Sequence, residues 1–169
     1  MSQSVTEPQT ALLQEGTRFL SFSLGSENYA IPLLAVKEVI ALADITAIPF
    51  TPPYFVGIMN LRGQVISVID LRKKFNIKYK ESGETAVIIC DLFPLCLGIV
   101  VDSVDAVLAP LASEMSPRPE VDSQVKTDYI TQVYRKDDHL VLLLDLAKTL
   151  SVEDHLSMAK SGSSSKAAA

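Results

Sequence analysis

The chain has 169 residues, 48% of them hydrophobic, and a formal net charge of −5, which fits one domain or two small ones sharing a core. That acidic balance argues against a nucleic-acid partner, because neutralising phosphates needs a basic face. No apolar run approaches the ~20 residues of a membrane span, and the stretch from Met1 to Gly16 lacks a basic-then-apolar leader, so the expected compartment is the cytoplasm.

Residues 1–16 are polar and expected to be flexible. Phe19–Leu24, a turn at Gly25-Ser26-Glu27-Asn28 and Tyr29–Leu33 read as a hairpin, with Val36-Lys37-Glu38-Val39 and a proline-bearing connection after it. Asn60 and Gly63 bracket a tight turn around Arg62, since Gly accepts positive φ and Asn tolerates it. The β-branched run Val65–Ile69 then reads as a buried strand, and Asp70–Phe75 as a short helix capped by Asp70. The basic stretch from Arg72 to Lys80 is expected to be a solvated charge run that leads into the second half. There, Val87–Leu92, a turn at Phe93-Pro94 and Leu95–Val101 form another hairpin. Its cysteines, Cys90 and Cys96, read as reduced core thiols, although the register that would decide a disulfide stays open. Asp145–Leu150 predicts a second short helix, and Ser151 with Asp154 a capping box for a last one to about Ala159. The remaining residues, 160–169, form a Ser/Ala-rich tail expected to be disordered.

These elements repeat. The first hairpin and Val36–Val39 recur 68 positions later, as Val87–Val101 and Val104–Val107. Tyr54-Phe55-Val56 and Val68–Lys73 recur 75 positions later, as Tyr129-Ile130-Thr131 and Leu143–Lys148. An insertion therefore sits between Val107 and Tyr129, in a Pro- and Ser-containing stretch where extra length costs little. The reading is a first unit over about 17–83 and a second over about 84–148, with exchange of strands between them left open. Each unit holds about five short strands, the mark of a small barrel or sandwich, and units of this size are marginal alone.

Catalytic patterns are sparse. His139 and His155 have no partner at zinc-ligand spacing and read as solvated. There is no Gly-x-Ser-x-Gly elbow, and no glycine pair makes a phosphate-binding loop. The expectation is no enzyme, no metal and no cofactor. The repeat is more informative about Arg62 and Glu38, whose counterparts are Asp137 and Ala106. One unit carries a cation and a carboxylate that its twin folds without. Two independent surface charges would explain this; so would an ion pair between Glu38 and Arg62 that shapes a partner-binding surface.

Gly57-Ile58-Met59-Asn60-Leu61-Arg62-Gly63 followed by Val65–Arg72 resembles the signature of the CheW family of bacterial chemotaxis coupling proteins. Phe19–Gly25 with Tyr29–Pro32, Val36–Val39 and Gly98–Val104 resemble further family segments in the same order, from about Thr17 to Leu156. The resemblance implies a mainly β fold of two SH3-like five-stranded barrels sharing a core, with short helices and a C-terminal helix over about 151–159. It implies a non-catalytic adaptor between the cytoplasmic tip of chemoreceptors and the regulatory domain of the histidine kinase CheA. Contact with the membrane would be only indirect, through receptor arrays. By the same resemblance, Arg62 and Glu38 match a polar pair near the coupling surface, and Val36, Gly57, Gly98, Val104 and Val107 match positions lining or shaping contact surfaces. The alternatives are a CheW-like adaptor of a pilus or developmental pathway and, from another class, a small-barrel nucleic-acid binder.

Overall fold

The computed structural model describes residues 16–92, 95–118 and 129–150. The expected N-terminal flexibility over 1–15, the helix at 151–159, the tail and His155 lie outside these residues. The elements in chain order are β1 (Phe19–Leu24), β2 (Glu27–Pro32), a 3-10 turn (Leu33–Ala35), β3 (Val36–Ala41), β4 (Phe55–Leu61), β5 (Gln64–Asp70) and α1 (Leu71–Lys74). The second half runs β6 (Ala86–Leu92), β7 (Leu95–Val101), β8 (Ser103–Leu108), a 3-10 turn (Ala112–Glu114), β9 (Met115–Pro117), β10 (Ile130–Lys136), β11 (His139–Leu144) and α2 (Leu146–Thr149). The first turn is tighter than the sequence suggests: Leu24 pairs with Glu27, leaving only Gly25 and Ser26 between the strands. Strand β9, inside the insertion, answers to a single bridge in the first half, since Ser116 pairs with Val133 as Thr46 pairs with Ile58, and no alternation in sequence announces it.

Two sheets result, with orders β8-β1-β2-β11-β10-β9 and β3-β6-β7-β5-β4. Each takes strands from both repeats. Parallel ladders join them across the halves, β5 with β7 in one sheet and β11 with β2 in the other. The repeat is visible to the level of single bonds. The Asp70 amide donates to the Tyr54 carbonyl and the Asp145 amide to the Tyr129 carbonyl, both at 2.8 Å. Ladder irregularities fall at Lys37 in β3 and Asp105 in β8, again 68 positions apart.

Three apolar clusters fill this frame. Met59, Ile66, Val68, Val87, Ile89 and Val100 pack inside the five-stranded sheet. Phe19, Ala30, Tyr134, Val141 and Leu143 pack inside the other. The largest cluster, including Phe22, Leu24, Ile31, Ile69, Leu71, Ile88, Ile99 and Leu144, lies between the sheets. Successive side chains on a strand face opposite ways. Hence Val87 and Ile89 of β6 belong to the inner cluster, and Ile88 and Cys90 to the shared one. This double burial explains why β6 and β7 read as nearly continuous hydrophobic runs. Both cysteines are free. They are not opposite one another, since Cys90 pairs with Leu97 and Cys96 with Asp91. Burial pushes the Cys90 thiol up to about 12, so it stays protonated as a core group.

The five-stranded sheet curls until its edges meet. Beyond β3 the chain reaches Thr46, which exchanges backbone bonds of 2.8 and 2.9 Å with Ile58 in the middle of β4. Gly57 makes this closure feasible: its φ is +149°, and a Cβ there would run into the Thr46 carbonyl. Gly57→Ala is therefore expected to lower the unfolding free energy by about 3 kcal/mol, combining clash and backbone strain. Gly63, also at positive φ but with open space around it, should lose only about 1 kcal/mol as Gly63→Ala. Urea denaturation of both variants checks the contrast.

Candidate functional site

Leu61 pairs with Gln64, so β4 and β5 are joined by the two-residue turn Arg62-Gly63. Both residues have positive φ, 52° and 85°, the requirement of a type I′ hairpin turn, whose twist matches that of the strands. Asn60 supports the turn by accepting the Gly63 amide on its side-chain oxygen at 2.9 Å. In the other half Asp137 occupies the equivalent place with φ 54°. Asp, Asn and Gly tolerate this conformation, whereas a long side chain such as Arg is strained in it. The first half thus places a cation where the backbone would rather have a short residue.

The guanidinium of Arg62 meets the carboxylate of Glu38 in a bidentate contact, Nη1 to Oε1 at 2.6 Å and Nη2 to Oε2 at 2.8 Å. Glu38 comes from β3, at one edge of the sheet, and Arg62 from the hairpin at the other, so the pair spans the seam of the curled sheet. The irregularity at Lys37 lies directly before Glu38, and a bulge re-aims the side chain that follows it. Arg62 is 73% exposed and Glu38 26%, which leaves the outer side of the pair available. Exposed hydrophobic residues lie on the same two strands, Val39 on β3 and Val65 on β5.

The other anticipated residues lie elsewhere in the fold. Val36 opens β3 opposite Cys90, half-buried against the core between the sheets. Gly57 is buried under Thr46, so the close approach it permits is to its own chain. Gly98 is buried too, and a Cβ there would meet Val87 Cγ1 at 3.0 Å and Val68 Cγ2 at 3.3 Å. Val104 pairs with Phe22 and is half-buried, while Val107, opposite Leu20, is exposed; both belong to β8 in the other sheet. The structure therefore joins Glu38 with Arg62, keeps Val107 at the surface, and puts the two glycines beneath it.

The basic stretch needs correction. Arg72 is buried, not solvated. Its Nε and Nη2 donate to Asp70 at 3.0 and 2.9 Å, its Nη1 to Asp102 at 2.7 Å, and its guanidinium stacks 3.6 Å from the Tyr79 ring centre. Burial works against its charge, but the two carboxylates outweigh that and raise its pKa above the ordinary value. Lys74 is half-buried over the Tyr54 ring, and burial lowers its pKa. Only Lys73, Lys78 and Lys80 are exposed as expected. Asp70 does cap α1, accepting the Arg72 amide at 2.9 Å, and Asp145 caps α2 through the Lys148 amide at 3.2 Å. The alternation Asp70-x-Arg72 hints at this contact, but nothing local points to Asp102.

The hydrogen bond from Arg62 holds the Glu38 carboxyl below its ordinary 4.5. Because that pKa is depressed, the pair is intact at neutral pH and is lost only as pH falls through the lowered value. An NMR titration should find Glu38 ionising below 4.5 in the native chain, and returning towards it in Arg62→Asn.

The model of the CheW-like domain matches residues 18–154. The chain is 37% identical over 142 residues to the chemotaxis protein CheW of Klebsiella aerogenes, covering 82% of this chain and 84% of that one. It is 33% identical over 146 residues to the chemotaxis protein CheW of Bacillus subtilis, covering 85% and 93%. Among solved structures it resembles the scaffolding protein TtCheW of Thermoanaerobacter tengcongensis, with a TM-score of 0.74, 32% identity, and coverage of 82% of this chain and 95% of that one. The two sheets are thus the two SH3-like β units of that fold, and the chain belongs to the CheW-like family.

Proposed function

We propose that this chain is a chemotaxis coupling adaptor that holds the cytoplasmic tip of a chemoreceptor and the regulatory domain of a CheA-type histidine kinase in one assembly. Its contribution is binding geometry and not catalysis, and it reaches the membrane through the receptors it holds. Family membership supports the class of function. The observation that points to a place on the molecule is Arg62, strained in a turn, exposed, and fixed by Glu38 in a bidentate contact. An exposed ion pair adds little to folding. Held rigid, it presents directional hydrogen-bonding groups to a partner at small entropic cost.

Val39 and Val65 are the exposed apolar residues on the strands of this sheet, while Val104 and Val107, on β8 of the other sheet, offer a second, apolar contact area. Val36, Gly57 and Gly98 shape these surfaces from below. A directional polar contact and a separate modest apolar area suit an adaptor that holds two partners.

Arg62→Asn tests the reading, because Asn suits the turn yet cannot reach Glu38 as Arg does. The variant should unfold at a urea midpoint no lower than that of the native chain, because Asn relieves the strain of the turn. Its affinity for a receptor fragment or for the kinase regulatory domain, measured by calorimetry, should fall about tenfold or more. Glu38→Ala and Arg62→Ala should combine less than additively, as coupled groups do. Native affinity for both partners in Arg62→Asn would overturn the assignment, and strict additivity would sink the pairing.

A further inference from the structure

The duplicated halves differ at a second place, and there the difference lies between the sheets. Asp102 sits between β7 of the five-stranded sheet and β8 of the six-stranded one. One carboxylate oxygen accepts Arg72 Nη1 at 2.7 Å, and the other accepts the Gly25 amide, in the β1–β2 turn, at 2.5 Å. The Asp102 amide donates to the Ser23 carbonyl at 3.0 Å, and the Ile77 amide to the Arg72 carbonyl at 2.8 Å. Gly25 is so close to Ile77 and Lys78 that a Cβ there would strike both. At the corresponding end of the other half, Ala147 stands for Arg72 and Leu34 for Asp102. Leu34 is almost fully exposed, and among the described residues the Asp145 carboxylate does no more than cap α2.

We propose that Arg72, Asp102 and the Gly25 amide form a one-sided latch between the sheets, so that changes in their relative orientation pivot at this end and open at the Leu34–Ala147 end. Apolar contact across the shared core resists separation but has no preferred direction. Charge-assisted hydrogen bonds between partly buried groups fix both distance and angle. Among the described residues, one end has both kinds of contact and the other has only the first. Arg72 is therefore a positioning residue, acting on sheet geometry through Asp102. This inference does not depend on the partner reading, since the free chain alone tests it.

Amide hydrogen exchange on the full chain is the experiment. Gly25, Asp102 and Ile77 should exchange about tenfold or more slowly than Leu33, Thr149 and Leu150, a difference worth one charge-assisted hydrogen bond. Asp102→Ala should abolish that difference without changing exchange at Val87 and Leu143, in the two inner cores. Asp102→Asn keeps a neutral acceptor in place and should give an intermediate effect, so it reports even where the alanine variant folds poorly. Equal protection at the two ends of the native chain would overturn the latch. So would a rise in exchange that runs uniformly through the core amides in Asp102→Asn.

Discussion

The two parallel ladders, β5 with β7 and β2 with β11, are the constraint on which the rest of the molecule depends. Each pairs a strand of one repeat with a strand of the other, so neither half can complete a sheet from its own residues. The apolar faces that this leaves between the sheets meet in the shared core, where Phe22, Ile31, Ile69, Ile88 and Leu144 are almost wholly removed from water. A repeat of this length buries little surface and is marginal alone. Interlocking two of them turns two marginal units into one cooperative body. It also dictates where β3 lies, at the edge of the five-stranded sheet, and hence where Glu38 can meet Arg62.

Against that near-symmetric frame, two arginines mark the departures, and their surroundings give them different work. Arg62 and Glu38 stay in contact with water, where desolvation is slight, salt screens the attraction, and the pair adds little to folding. Arg72 is buried with Asp70 and bonded to the half-buried Asp102, and removing one member of such a group leaves a charge stranded in a poor solvent. Similar chemistry therefore serves a surface in one case and the interior in the other. Burial, more than partner identity, separates the two roles.

Much of the frame was legible in the chain itself. Hairpins announce themselves through β-branched runs and turn residues, and the caps through Asp at the strand-to-helix junctions. Duplication added something that single segments lack, an internal control. Comparing Arg62 with Asp137, and Glu38 with Ala106, singles out charges that the architecture does not require. Other features depend on contacts between distant residues and carry no local pattern. Gly57 matched a position that shapes a contact surface, but only the folded chain reveals Thr46 as the group packed against it. Arg72 stands among lysines and looks like one more solvated cation; its burial is set by Asp102, thirty positions on. β9 has only three residues, too few for alternation to register.

The distribution of strands also sets an order of events during synthesis. The five-stranded sheet has all its strands once the chain is complete to Val101. The other sheet must wait for β8, β9, β10 and β11, and until then Phe19 and Ala30 of the β1–β2 hairpin lack Tyr134, Val141 and Leu143, their partners in its inner cluster. On a ribosome, one lobe can thus serve as the template on which its sibling condenses. The emerging N-terminal hairpin is meanwhile the stretch most in need of a chaperone.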